Sequence, residues 1–236
     1  MDWLRHTILD NQLYFSSPAS FNDPFDCKVS PSFDGTAQQK RSYIEKLARQ
    51  RFGSSTSREA QALTRAALAD PRFFEKAFSP LQERDIPHIG VYCLSERLDD
   101  ILMWSHYADS HRGISLILGA SQMYSSLTVE PVRYPRNNEY PDVNFFTNSM
   151  EEQIEAILLT KAKHWEYERE WRIIDPSGPG WHDAEPQWLR GIVFGCTAPV
   201  AQVAEISRIA LQRKPPLRLF RAEKKDREFA LVINPI

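Results

Sequence analysis

The sequence predicts an α+β fold built on a mostly antiparallel sheet. Three observations carry this reading. The apolar pattern keeps a helical period up to about Arg84 and turns to strand-like alternation from Ile89 onward. Beyond that point strands and helices do not alternate strictly, which disfavours a doubly wound parallel sheet. The composition, 42% apolar and 25% charged over 236 residues, suits one large domain. The expected organisation is a single domain, 1–236, with a peripheral helical insertion at 36–84.

Asp2 to Asn11 reads as a helix with Trp3, Leu4, Ile8 and Leu9 on one side, and Leu13 to Ser16 as a short strand. Ser20 to Asp26 is a turn, because Asn and Asp before Pro form Asx turns readily. Thr36 with Gln39, and Thr56 with Glu59, have the capping-box spacing that opens a helix. Ile44, Leu47, Ala48 and Phe52 form one apolar stripe, and Ala62, Leu63, Ala66 and Ala67 a second. After Asp70-Pro71, the residues Phe73, Phe74, Ala77, Phe78 and Leu81 begin a third. Strands are then expected at Ile89–Ser95, Gly113–Leu118 and Leu127–Tyr134, with a short helix at Asp99–Asp109. Ser149 and Glu152 cap a helix running to about Lys163. Further strands follow at Glu170–Ile174, Gly191–Gly195, Leu217–Ala222 and Glu228–Ile233, with a helix at Pro199–Gln212. The strands starting near Val91, Gly113, Glu170, Gly191 and Leu217 are expected to share one core.

Charge and cysteine usage exclude several classes. Twenty-nine basic residues against 31 acidic ones leave a net charge of −2, which argues against nucleic-acid binding by overall charge. No apolar run approaches the length of a membrane span, so no membrane partner is expected. Cys27, Cys93 and Cys196 are odd in number and dispersed, as in a reduced cytoplasmic protein without a structural zinc. The phosphate-loop, dinucleotide-fold, zinc-protease and nucleophile-elbow motifs are all missing.

The densest candidate chemistry is His164-Trp165-Glu166-Tyr167-Glu168-Arg169-Glu170-Trp171-Arg172. An extended backbone here would send Glu168, Glu170 and Arg172 to one face and Trp171 and Ile173 to the other. Paired carboxylates can divide labour, since like charges push their pKa values apart. The alternative is a solvated strand face with cross-strand ion pairs. Met103-Trp104-Ser105-His106-Tyr107 offers aromatics and a histidine, either facing a ligand or serving as core. His106 and His111 are not spaced as two metal ligands on one helix face. Asn22 and Asp23 either shape a turn or bind a ligand hydroxyl or amide. Ser95 ends a strand, as a cap or as a site residue. Cys93 could be a nucleophile beside His106, but a buried inert thiol is the expectation. Glu223-Lys224-Lys225 has the E-x-K spacing of metal-dependent nucleases, with only Asp142 as a preceding acid.

Several of these segments, taken in order, form a pattern. Leu13-Tyr14-Phe15-Ser16-Ser17-Pro18, Phe21-Asn22-Asp23-Pro24-Phe25-Asp26, Tyr92-Cys93-Leu94-Ser95-Glu96, Met103-Trp104-Ser105-His106-Tyr107-Ala108, His111-Arg112-Gly113 and Trp165 to Arg172 resemble the bacterial domain of unknown function 2971 family. The order of elements is also similar to the ADP-ribosyltransferase-like fold, a split antiparallel sheet that binds NAD. That likeness implies an NAD-consuming effector of a toxin or phage-defence type, acting on an unknown macromolecular acceptor. It implies Glu170 as principal carboxylate with Glu168 as its partner. Ser95 would position ribose, with His106, Tyr107, Asn22 and Arg172 lining the nucleotide site and Trp104 or Tyr107 stacking on a base. A cleft carboxylate in that role should be replaceable without loss of stability. The rivals are a non-catalytic nucleotide- or protein-binding module and, behind it, a nuclease using Glu223 and Lys225.

Overall fold

The computed structural model describes residues 2–70, 72–76, 86–119 and 128–236. The chain forms two compact units, each assembled from separated stretches. The first comprises Met1–Ser17, Ile89–Val132 and His164–Ile236, and the second Pro18–His88 and Arg133–Lys163.

In the first unit the helix α1 (Asp2–Ile8) leads into β1 (Gln12–Phe15). β3 (Gly90–Ser95), α4 (Ile101–Tyr107), β4 (Ile114–Leu118) and β5 (Val129–Pro131) follow. The last stretch carries β7 (Glu170–Asp175), β8 (Gly180–Asp183), β9 (Leu189–Phe194), α6 (Val200–Ala210), β10 (Arg218–Lys224) and β11 (Leu231–Pro235). These strands make a four-stranded sheet in the order β11-β10-β9-β4, a three-stranded sheet β3-β7-β5 and the pair β1-β8. All pairs are antiparallel except β9 with β10, which are joined through α6 as a parallel pair requires.

Residues of β9 alternate between two apolar layers. Ile192 and Phe194 pack with Leu4 and Ile8 of α1 and Ile206 and Ile209 of α6. Val193 packs on the other side with Trp104 and Ala108, Ala222 and Leu231. A third cluster joins Leu13 and Phe15 to Val129, Ile173 and Trp188. The five strands expected to share one core are thus divided between two sheets, and only Leu118 packs against clusters of both. The strand β4, expected to be buried, is a half-buried edge, because its ladder continues only on the β9 side.

The loop after α4 is strained. Asp109, Ser110 and His111 all have left-handed backbones, with φ of 46°, 52° and 67°, which costs energy without glycine. The strain is held by contacts: His111 N–H donates to the Trp104 carbonyl at 3.1 Å, and the Thr197 N–H donates to the His111 carbonyl at 3.1 Å. Gly195 is required beside it, since a Cβ there would collide with the His111 carbonyl.

The second unit pairs α2 (Ala37–Phe52) with α3 (Arg58–Ala69), and β2 (Ser30–Ser32) in parallel with β6 (Asp142–Asn144). The helix α5 (Met150–Leu158) also belongs here. Both capping boxes expected at Thr36/Gln39 and Ser149/Glu152 are present. The start of α3 differs: Ser57, not Thr56, is the cap, accepting the Ala60 N–H at 3.1 Å, while Thr56 N–H is bound by Ser54. Gly53, at φ 71°, closes α2 in the left-handed region. Ile44, Ala67 and Phe74 form the buried centre, ringed by Phe33, Tyr43 and Phe146 in stacked and edge-on contacts. The helical character of 36–84 is therefore seen in α2 and α3. The expected third stripe at Ala77, Phe78 and Leu81, like Leu127, lies outside the described residues.

The turn from β7 to β8 generates a pH prediction. Asp175 accepts from the Ser177 hydroxyl at 2.6 Å and pairs with His182 at 3.0 Å. The Ser177 hydrogen bond, helped by His182, holds the Asp175 carboxyl below its ordinary value. A carboxyl depressed in the folded state stabilises above its unfolded pKa, and that contribution disappears as pH falls through the folded pKa. Asp175→Asn should therefore flatten the acid limb of stability while leaving the neutral-to-alkaline limb parallel to wild type, as read from urea unfolding between pH 3 and 8, a range of roughly the ordinary carboxylate titration and above.

Candidate functional site

The strand β7 supplies the site its frame. In the ladder Ser95 stands opposite Glu170, Cys93 opposite Arg172, and Glu130 of β5 opposite Arg172 from the other side. Alternation works as the sequence indicates from Glu170 onward. Ile173 is core and Trp171 packs against the same cluster, its indole N–H donating to Glu96 at 2.7 Å. Glu170 and Arg172 share the opposite face.

Glu168 does not belong to that strand. It ends a 3-10 helix, Lys163–Glu168, and the left-handed Arg169 (φ 44°) turns the chain into β7. Both carboxylates are nonetheless buried, at 2% exposure for Glu168 and 5% for Glu170. Their environments differ. Arg172, 0% exposed, forks onto Glu170: Nε donates to Oε1 at 2.7 Å and Nη2 to Oε2 at 3.1 Å. Such a bidentate pair is strong and directional. Glu168 instead accepts from the Tyr107 hydroxyl at 2.8 Å.

Ser95 joins the two carboxylate segments. Its hydroxyl donates to the Glu168 carbonyl at 2.6 Å, and its oxygen accepts the Arg97 N–H at 3.1 Å. Tyr107 reaches Glu168 from the last turn of α4, whose first turn is capped by Asp100. The Tyr107 side chain is half exposed. Around it His106 lies 6.2 Å from both Tyr107 and Trp165, and Trp165 6.1 Å from Tyr167, centroid to centroid. Ser95, Tyr107, Glu168, Glu170 and Arg172 are therefore brought together, with His106 beside them.

Other residues singled out in the sequence have different places. Trp104 is buried in the core with Val193 and Ala222, and its indole N–H donates to the Leu98 carbonyl at 2.7 Å. Its ring presents no open face for a planar ligand, which corrects the stacking role. Asn22 is exposed in the second unit. The neighbouring Asp23 makes the expected Asx turn, accepting the Phe25 N–H at 2.9 Å. Cys93, expected to be buried, is exposed, while Cys27 is the buried thiol. Glu223 accepts from Asn234 at 2.8 Å and Lys225 pairs with Glu228 at 3.4 Å. Among the described residues no three His, Cys, Asp or Glu side chains form a group able to hold a metal ion. No described helix is long and apolar enough to cross a membrane.

Sequence reasoning missed a second buried charged group. In the second unit Lys161 and Asp26 are both almost fully buried, with 4.0 Å between Nζ and Oδ2. Asp26 also accepts the N–H of Cys27, itself at φ 56°. Asp26 was visible in the F-N-D-P-F-D element, but nothing local in the sequence marks Lys161 as its partner. A polar pocket of about 350 Å³ also opens in this unit, lined by Ser30, Asn138, Glu139, Tyr140 and Asp142.

A mixed α+β scaffold presenting an E-x-E strand entry beside a strand-end serine is the class defined by this geometry. Residues 103–173 match the family model described as a protein of unknown function (DUF2971), and over this segment the chain is a member of that family. The match takes in both Tyr107 and the Glu168 to Arg172 run. No curated protein and no solved structure matches the chain.

Two predictions follow from the burial. Glu170→Gln strands the Arg172 charge inside the protein and should cost about 3–5 kcal/mol by denaturant unfolding. Joint replacement by Glu170→Leu and Arg172→Met should recover most of that loss. The sequence-based expectation that Glu170 is dispensable for folding is thereby reversed, because it is one half of a buried ion pair. Trp104→Ala should also lower stability by about 3–5 kcal/mol through its cavity.

Proposed function

We propose that the chain is an NAD-consuming, ADP-ribosyltransferase-like protein on a split antiparallel sheet. What supports this reading is the meeting of Ser95, Tyr107 and the Glu168-x-Glu170 pair within one unit. In the reaction the nicotinamide–ribose bond breaks, nicotinamide leaves with the electron pair, and water or a macromolecular acceptor attacks the ribose carbon. The transition state is cationic, so an oriented carboxylate beside the ribose stabilises it.

Glu168 is the better carboxylate for that task. The charge of Glu170 is committed to Arg172, whereas Glu168 is held by a phenol whose ring extends to solvent. Glu170 and Arg172 then act as the rigid base on which the Glu168 turn rests. His106, Tyr107 and Trp165 supply aromatic surface for a nicotinamide or adenine ring. A role as a toxin or phage-defence effector in the cytoplasm belongs to the same proposal.

The second reading, a nucleotide-binding module without turnover, is favoured by one observation: Glu170 is neutralised by Arg172 and nearly inaccessible. Nicotinamide release and NAD binding separate the two. For the enzyme, Glu168→Gln should lower release by roughly 10²-fold at matched folded concentration, the scale of losing one preorganised electrostatic contact. Tyr107→Phe should reduce it less while keeping the fold. Binding of NAD by calorimetry with no release in wild type would select the module. Neither binding nor release would refute both.

A further inference from the structure

The strand β11 is the end member of its four-stranded sheet. Two hydrogen bonds fix which way its backbone faces. Lys225 N–H donates to the Ala230 carbonyl and Ile236 N–H to the Leu219 carbonyl, both at 3.0 Å. These fall in register with the pairs Glu223–Val232 and Arg221–Asn234. Val232, Asn234 and Ile236 therefore turn their backbone groups to β10, and the alternate residues turn theirs outward. Leu231 and Ile233 present both N–H and C=O on that outer edge, while Pro235 presents only its C=O.

The side chains along this edge lack the usual protection. β11 reads Leu-Val-Ile-Asn-Pro, with none of the charges that commonly keep sheet edges apart. Phe229 is fully exposed, Ile236 is 60% exposed, and Val232 is partly exposed.

We propose that this edge is the seam of a two-fold dimer, with β11 of a second copy of this chain pairing antiparallel across Ile233. The sequence is self-complementary in that register. Ile233 faces Ile233 of the second copy and exchanges both hydrogen bonds with it. Leu231 donates to the Pro235 carbonyl of the second copy, and the reverse bond is missing because proline has no donor. Val232 stands opposite Asn234. Phe229 falls beside Ile236 of the second copy, so the two most exposed apolar side chains of the hairpin cover each other at both ends. An isologous pairing of this kind closes on itself, and the two prolines stop the ladder from lengthening. One strand pair buries little area, so the dimer is weak and concentration-dependent.

The test uses the full chain. Sedimentation and light scattering should show a monomer–dimer equilibrium. Val232→Lys and Phe229→Asp, both at exposed positions, should each raise the dissociation constant by about tenfold or more without lowering the melting temperature, since a charge on an edge opposes pairing. Register is read by cross-linking in a Cys93→Ser background. Val232 and Asn234 of the two copies form a non-hydrogen-bonded pair, with Cα atoms about 4.5 Å apart, inside disulfide range. Val232→Cys with Asn234→Cys should oxidise to a covalent dimer, and neither single cysteine should. A wild type that stays monomeric at all concentrations, a dimer indifferent to Val232→Lys, or equal cross-linking by the single variants would each overturn the proposal.

Discussion

The buried fork between Arg172 and Glu170 is the constraint on which the candidate site depends. An arginine with no exposed surface must have its charge answered, and the residue two positions earlier on the same strand answers it. Because both belong to β7, and β7 is the central strand of its sheet, the pair fixes the face on which Ser95, Cys93 and Glu130 stand. The left-handed Arg169 then sets the exit of the 3-10 helix, and Glu168 takes its place against Tyr107. Each of these steps is local, yet the set is coherent only while the ion pair persists.

The two carboxylates show how one sequence motif can divide into two physical tasks. Read as letters, E-x-E suggests equivalent acids on one strand face. In three dimensions a single backbone reversal separates them. One glutamate is paired with a guanidinium in the sheet, and the other is linked through a tyrosine to an aromatic surface. The family segment spans both, so relatedness alone does not tell the two apart.

Much of the fold was legible because its signals are local. The helix starts at Thr36 and Ser149 follow from side chains three residues apart, and the strands of the last third follow from alternation and β-branched residues. The pairs β2–β6 and β1–β8 were not legible as pairs, since strands of three or four residues carry too few side chains to show a period. Trp104 was misread because an aromatic in a polar-flanked helix looks the same whether it faces core or ligand. The Lys161–Asp26 pair joins distant parts of the chain, and no spacing rule reports such contacts. Glu170 was placed on the right face, but its commitment to Arg172 depends on burial, which sequence does not state.

The interleaving of the two units has a consequence for how the chain matures on the ribosome. All of the second unit has been synthesised once Lys163 is made, whereas β1 must wait for β8, its partner from Gln12 to Asp183. Its sheets are closed by β7 to β11, the last strands to emerge. Pairings of such sequence separation are slow to form. The nascent chain thus holds an amphipathic helix and an aromatic-rich strand, Asp2 to Phe15, without their final cover for most of its synthesis. That places the period of greatest exposure to chaperones and proteases at the start of the polypeptide's life, and makes termination before β11 a route to a product whose second unit can fold while its catalytic-candidate unit cannot.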